Sequence, residues 1–552
     1  MRRILPLFVL LLPALAAAQS GKPAPATIQV TSRIVYVDVT VRDSTGNIVH
    51  GLTQKVFRVF EDGKPQQIDY FSAHVYVPVT PSSKPASSLD FSNTNAPGQT
   101  GAVTILLFDL LNTSTPDQLV ARKQMLKFLE DLPPGHRVSL FTLTDKLQMI
   151  QSFIGNPELL TAAAKMLKPV NLQHMPSREE VQQDQDIARE FDRESTGGRG
   201  RGGSAMDDNV QTQESDLGLR TYSTIAALAQ LVQRMSGYQG RKNLYWISES
   251  FPIALNTTKG GWGQTLPVDA QRMTNLLADA RIAVYPISVL GLDLGTSSVA
   301  VSGISGTVPD PKVFFAGRGT LKSAMNEIAD QTGGEAIVDT NDLAGAMRRD
   351  LDDGSNYYTL AYQPQNKKWN KQFRNIRVEL NQKGNSLTYR RGYFAYPDNA
   401  PAPNPAQQLN VALQPETPDS TTLALHSVVD LPDAQHSSVL VHSVLSAANL
   451  NLIPGSDGHH RGQIMVMLVA FKDDPGKAAT QSDPPPQTSG TLSLDFDPAQ
   501  YQSILKSGIA FTQQLPLPPG RYRLRLGVSD LTTQRLGTLD VPIAIPAQTA
   551  KN

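Results

Sequence analysis

A few short spacings in the chain invite a chemical reading. Ser503-Ile504-Leu505-Lys506 has the Ser-x-x-Lys spacing of an acylated nucleophile and its lysine, but the companion motifs of that chemistry are not in a compatible arrangement. Gly198-Arg199-Gly200-Arg201-Gly202-Gly203 carries glycines at dinucleotide-fingerprint positions. That fingerprint needs a strand before it, and a charged, strand-free stretch precedes it here. His459-His460 in GSDGHHRG would need two further ligands at defined positions to hold zinc, so it reads as a solvated turn. His136, after Pro133-Pro134-Gly135, reads as structural, and Asp350-Leu351-Asp352-Asp353 as a solvated helix end. There is no His-Glu-x-x-His helix, no Gly-x-Ser-x-Gly elbow and no Cys. The missing Cys removes disulfides, thiolate zinc sites, iron–sulfur clusters and thiol nucleophiles together. No nucleophile, base and orienter set remains, so the expectation is a non-catalytic protein.

The elements behind these residues narrow the class further. The 552 residues carry 50 basic and 50 acidic side chains, which leaves no basic footprint for nucleic acid. The opening MRRILPLFVLLLPALAAAQS has a basic start, a short apolar stretch and small residues before Gln19. It reads as a signal peptide over 1–18, hence export to the periplasm or beyond. No later segment is apolar enough to span a membrane, so no transmembrane segment is expected in the mature chain.

Val35, Val37, Val39 and Val41 alternate at strand period, and Glu61-Asp62-Gly63-Lys64 marks a hairpin. Residues 24–79 therefore read as an N-terminal β unit and 80–100, rich in Pro, Ser and Asn, as a linker. Within 101–352, apolar runs (VTILLF, VSLFTL, NLYWIS, IAVYPIS) alternate with helical patterns. One helix is expected at Pro116–Leu132, with Leu119, Ala121, Met125, Phe128 and Leu129 on or near one face. Others are expected at 222–235, 273–281 and 321–334. This predicts a doubly wound α/β domain with a parallel sheet covered on both faces. A charged segment at 174–216 is expected to be a disordered insertion, and 291–318 an irregular loop. Residues 355–397 (YYTLAYQP, FRNIRVEL and SLTYRRGYFAY) read as three strands that pair with the N-terminal unit, making the α/β domain an insertion. A linker at 398–407 leads to an all-β region at 408–547, read as an immunoglobulin-like sandwich. The fold class is thus α/β plus all-β.

Several segments in order, VDVTVRDSTGNIVHGL, FRVFEDGKPQ, ILLFDLLNTS, KNLYWISES, IAVYPISV, EIADQTGGEA and YYTLAYQP, resemble von Willebrand factor type A domain proteins. More narrowly, the chain resembles the exported VWFA-related proteins of Acidobacteria, over roughly residues 25–396. The resemblance implies a binding module and points to a metal-ion-dependent adhesion site. That site uses an Asp-x-Ser-x-Ser run, a loop Thr and a further Asp, holding magnesium by oxygen ligands. Here the run is Asp109-Leu110-Leu111-Asn112-Thr113. Asp109 and Thr113 match, Leu111 cannot coordinate, Thr221 matches the loop Thr and Glu249 stands in place of the Asp. The resemblance therefore implies a degenerate site of Asp109, Thr113, Thr221 and Glu249 for Mg2+, with Asn112, Ser114 and Ser250 on the binding rim. The alternative is a metal-free crevice in which Asp109 caps the next helix and bonds Thr221. The implied partner is a protein or cell-envelope ligand. An exported hydrolase with an unrecognised site and a purely structural envelope component are the competing readings.

Overall fold

The computed structural model describes residues 33–76, 89–93, 102–133, 136–170, 203–235, 238, 240–251, 266–290, 311–397, 404–415, 417–432, 437–473 and 484–546. The expected signal peptide lies outside them. No helix among the described residues is long and apolar enough to cross a membrane.

In chain order the first strands are β1 (Val35–Arg42), β2 (Phe57–Glu61), β3 (Lys64–Gln66), β4 (Tyr70–His74) and β5 (Asp90–Ser92). The α/β domain follows with β6 (Val103–Asp109), α1 (Thr115–Glu130), β7 (Val138–Leu143), β8 (Leu147–Ile154) and α2 (Pro157–Met166). It continues through α3 (Gly203–Met235), β9 (Lys242–Ser248), α4 (Leu266–Asp279), β10 (Ile282–Ser288), α5 (Pro311–Thr332) and α6 (Leu343–Ser355).

The α/β sheet has the order β10-β9-β6-β7-β8, parallel except for β8 at one edge. The chain starts in the middle, at β6, winds outward on one side and then returns to the other. That reversal opens a crevice beyond the C-terminal end of β6. Successive β6 side chains point to opposite faces. Leu106 and Phe108 pack with α1, α2 and α6, whereas Ile105 and Leu107 pack with α3, α4 and α5. Both faces are therefore dry, which is why the strands read as unbroken apolar runs.

Four strands complete the β unit: β11 (Tyr357–Tyr362), β12 (Phe373–Leu380), β13 (Ser386–Thr388) and β14 (Gly392–Phe394). They interleave with the N-terminal strands in two sheets, β13-β1-β11-β4 and β14-β12-β2-β3. The core between them holds Val37, Val39, Val59, Leu360, Tyr362, Ile376 and Val378. The buried Glu61 carboxylate accepts from Tyr362 Oη and Tyr393 Oη, both at 2.9 Å, and from Arg374 Nη1 at 3.2 Å. A polar lock joins this unit to the α/β domain. Arg281, just before β10, donates to both Asp38 oxygens on β1 at 3.1 and 2.5 Å, and Thr359 on β11 donates to Asp38 at 2.7 Å.

The C-terminal region comprises α7 (Pro405–Ala412), β15 (Leu425–Asp430), β16 (Val439–Leu445), β17 (Ile453–Pro454), β18 (His460–Lys472), β19 (Gln487–Phe496), α8 (Pro498–Ser507), β20 (Ile509–Leu515), β21 (Gly520–Asp530) and β22 (Leu536–Ile545). One sheet runs β20-β16-β15-β5 and the other β17-β18-β21-β22, with β19 paired to β18. Val441, Leu468, Leu515, Leu524 and Val541 from both sheets share one core, so the sheets pack face to face.

The structure departs from the sequence expectations in several places. The 80–100 linker contains β5, which joins the C-terminal sheet beside β15. Asn93 fixes it there, donating to Ser420 O and Leu423 O and accepting from Leu425 N. The 398–407 linker runs into α7, because Leu409 can bury against Met467 and Val469. The last part of the 174–216 insertion, from Gly203, is helical backbone in α3, while 174–202 lies outside the described residues. Residues 311–318 of the expected irregular loop open α5. Leu119 is 54% exposed, and Gln118 takes the inward position on α1 instead. The single strand expected at SLTYRRGYFAY is two, because the chain crosses from one sheet to the other.

The Thr332-Gly333-Gly334 motif has a local reason. Gly333 ends α5 with φ +84°, a left-handed turn that glycine adopts without strain. A Cβ on Gly334 would stand 1.9 Å from the Val284 carbonyl oxygen, so only glycine lets this turn press against β10.

Candidate functional site

The candidate residues gather at the crevice beyond β6. Asp109, the last residue of that strand, is fully buried. Its Oδ1 accepts from Asn112 N at 2.9 Å. Its Oδ2 accepts from Asn112 Nδ2 at 2.9 Å and from the indole Nε1 of Trp246 at 2.8 Å. Ser248 Oγ lies 3.2 Å from the same oxygen, but its single proton has a shorter route to Ser250 O at 2.7 Å. Burial pushes the Asp109 carboxyl up to about 6, against the pull of these donors. Neutral dipoles hold the anion, and desolvation outweighs them.

Asn112 bridges two elements. Its Nδ2 also donates to Thr224 Oγ1 on α3 at 2.8 Å, and Thr224 in turn donates to Arg220 O. Its carbonyl accepts from Ser250 N at 3.2 Å. The loop after β6 is therefore pinned to β9 and to α3 at once.

Glu249 serves the start of α1. Its Oε2 accepts from Ser114 N at 2.9 Å, and its own N–H donates to Thr113 Oγ1 at 3.2 Å. Ser114 is the N-cap residue of α1, and its hydroxyl donates to Asp117. A carboxylate at this helix start is favourable because the exposed N–H groups carry partial positive charge. The capping expected of Asp109 is thus taken by Glu249. Thr221 is buried inside α3, not in a loop before a helix, and the hydroxyl that reaches Asn112 is that of Thr224, three residues on. Three residues come in that the sequence reading left out: Trp246, Ser248 and Thr224. Trp246 sits in an apolar strand and looks like core packing, which it also provides against Phe251.

These residues do not fit a magnesium shell as arranged. Magnesium demands near-octahedral oxygen ligands with open lone pairs. Asp109 Oδ2 already accepts two N–H bonds, Asn112 turns its NH2 inward, and Thr113 Oγ1 and Glu249 Oε2 each accept a backbone N–H bond. Leu111 offers no oxygen. The crevice is a closed hydrogen-bonded knot that ties β6, β9, α1 and α3 together.

The other motifs stay apart from this knot. Ser503 and Lys506 lie on exposed α8. His459 pairs with Asp495 at 2.7 Å, and His460 stacks on Tyr501 at 3.7 Å between ring centres. His136 stacks on Tyr76 at 3.9 Å. No cluster of three or more His, Cys, Asp or Glu suited to a metal occurs among the described residues.

No family model and no curated protein matches this chain. Solved structures similar to it include an aerotolerance-related membrane protein of Bacteroides fragilis, at 14% identity over 46% of this chain and 99% of that one, TM-score 0.24. BatB of Bacteroides thetaiotaomicron is similar at 12% identity over 46% and 98%, TM-score 0.24. A von Willebrand factor type A protein of Catenulispora acidiphila is similar at 8% identity over 88% and 75%, TM-score 0.21. At these scores the fold rests on the strand order itself, a mixed α/β protein of several sheets.

Proposed function

We propose that this chain is an exported, non-catalytic binding protein of the type A kind. Its α/β domain would engage a protein or cell-envelope partner through the rim of the β6 crevice, without a metal ion. The C-terminal sheets, read as an immunoglobulin-like sandwich, and the β unit present that domain. The observation that supports the rim is the pair Leu219 and Tyr222 on α3, 66% and 72% exposed. They flank Thr221, five and two residues before Thr224, which anchors the crevice loop. A lone exposed Leu means little, but an exposed Tyr beside it is the composition of an interface centre.

The test immobilises the full chain and the Leu219→Ser/Tyr222→Ser variant and exposes both to an envelope extract of the producing organism. The expected result is a species retained in EDTA and bound at least about 30-fold more weakly by the variant, the loss typical of an aromatic anchor. Equal retention by the variant would refute the rim, and loss of retention in EDTA would restore the metal version. Turnover of ester, peptide or glycoside substrates, abolished by an Ala substitution in a pocket, would favour a hydrolase.

A further inference from the structure

A cleft of about 250 Å³ lies where the β unit meets the α/β domain, and none of the crevice residues lines it. Its walls include Arg33, Trp369, Arg390 and Tyr393 of the β unit and Asn275 and Asp279 of α4. Arg390 is the unusual member. Its side chain is only 6% exposed, yet its Nε and Nη1 have no hydrogen-bond partner within the protein. Nη1 lies 3.5 Å from Asp279 Oδ1, an ion pair at the outer limit of hydrogen-bond distance. Buried N–H groups without acceptors are rare because their lost hydration goes uncompensated. A neighbouring void of about 10 Å³, lined by Arg390, Asp38 and Arg281, has room for one water at most.

The cleft offers what a ligand would need beyond that water. The Arg33 guanidinium lies 4.2 Å from the Trp369 ring centre, and Arg390 lies 5.8 Å from that of Tyr393. Two arginines against the single carboxylate of Asp279 leave one net positive charge among these groups. That balance suits a monoanion better than a phosphate dianion. A planar guanidinium also matches a carboxylate by two parallel N–H bonds.

We propose that this cleft binds a small organic carboxylate, held by Arg390 in the positive field of Arg33, which itself donates to Tyr396 O at 2.6 Å, with its apolar body against the aromatic wall. Binding requires a small shift of Arg390 towards the cleft, with Asp279 as the internal competitor for the guanidinium. The proposal does not depend on the rim described above.

Calorimetric titration of the full chain with benzoate, and with benzamide as the uncharged analogue, tests it. Benzoate should bind saturably in the millimolar range or tighter, and benzamide at least tenfold more weakly. Arg390→Gln should abolish benzoate binding. Asp279→Asn, which removes the competitor and leaves both arginines, should strengthen it several-fold; a purely structural role for Asp279 would not produce this gain. Absence of saturable benzoate binding, equal binding of benzamide, or no gain in Asp279→Asn would each overturn the proposal.

Discussion

Replacing Asp109 by Ala is expected to cost about 5 kcal/mol of stability, close to the whole stability of a modest domain. The substitution removes the common acceptor of Asn112 N, Asn112 Nδ2 and the Trp246 indole. Each buried donor left unpaired costs about 1–3 kcal/mol, and water cannot readily reach a fully buried site. Asp109→Asn keeps one acceptor oxygen and should be milder. It also isolates a pH effect. The folded carboxyl titrates near 6, above its ordinary value of 3.8. Below pH 4 both folded and unfolded chains hold the proton. Between pH 4 and 6 only the folded chain holds it, so rising pH draws the equilibrium towards unfolding. Wild-type stability should therefore fall by roughly 3 kcal/mol relative to Asp109→Asn across that window, and the difference should level off above it. Urea unfolding followed by tryptophan fluorescence at pH 4, 5, 6 and 7 checks this. Parallel profiles for the two proteins would show that the carboxyl is not desolvated.

Glu61→Ala should destabilise the β unit by about 3–5 kcal/mol, because it strands the Arg374 guanidinium in the core. Arg374 and Glu61 are each only 2% exposed. Arg374 would keep its bonds to Asn366 O and Lys368 O but lose its counter-charge. The Tyr362 and Tyr393 hydroxyls would lose their acceptor as well. Burial and then the Glu61 charge push both phenols up, so they act as protonated donors to that carboxylate. The Glu61→Ala/Arg374→Met pair, which removes both charges and restores apolar volume, should recover most of the loss. Additive losses in this double-mutant cycle would mean that the two side chains are not coupled.

The α/β sheet was legible because its central strands are dry on both faces. VTILLF, NLYWIS and IAVYPIS carry that burial as unbroken apolar runs. Strand β8 was not legible, since LQMIQSFI lies at the sheet edge and mixes polar with apolar positions. Strand β5 and helix α7 hid inside Pro- and Asn-rich stretches, recruited by tertiary contacts that no local pattern records. At the crevice, the resemblance located Asp109, Asn112, Thr113 and Glu249 within one hydrogen-bonded site. Their roles were not readable. Whether Asp109 faces a cation or an indole depends on which β9 side chain stands opposite, and Trp246 carries no sequence mark that separates a donor from core packing. Thr221 lies inside α3, which begins far earlier than its apolar stripe, and the hydroxyl that accepts from Asn112 is that of Thr224, three residues further along.

The most direct test of the closed, metal-independent crevice is calorimetric titration of the full chain with Mg2+ and Mn2+, beside Asp109→Asn. The predicted result is no saturable heat in either protein, since the Asp109 oxygens are already engaged by N–H donors. Saturable binding in the wild type that disappears in Asp109→Asn would contradict it, and would show that the crevice opens to take a metal.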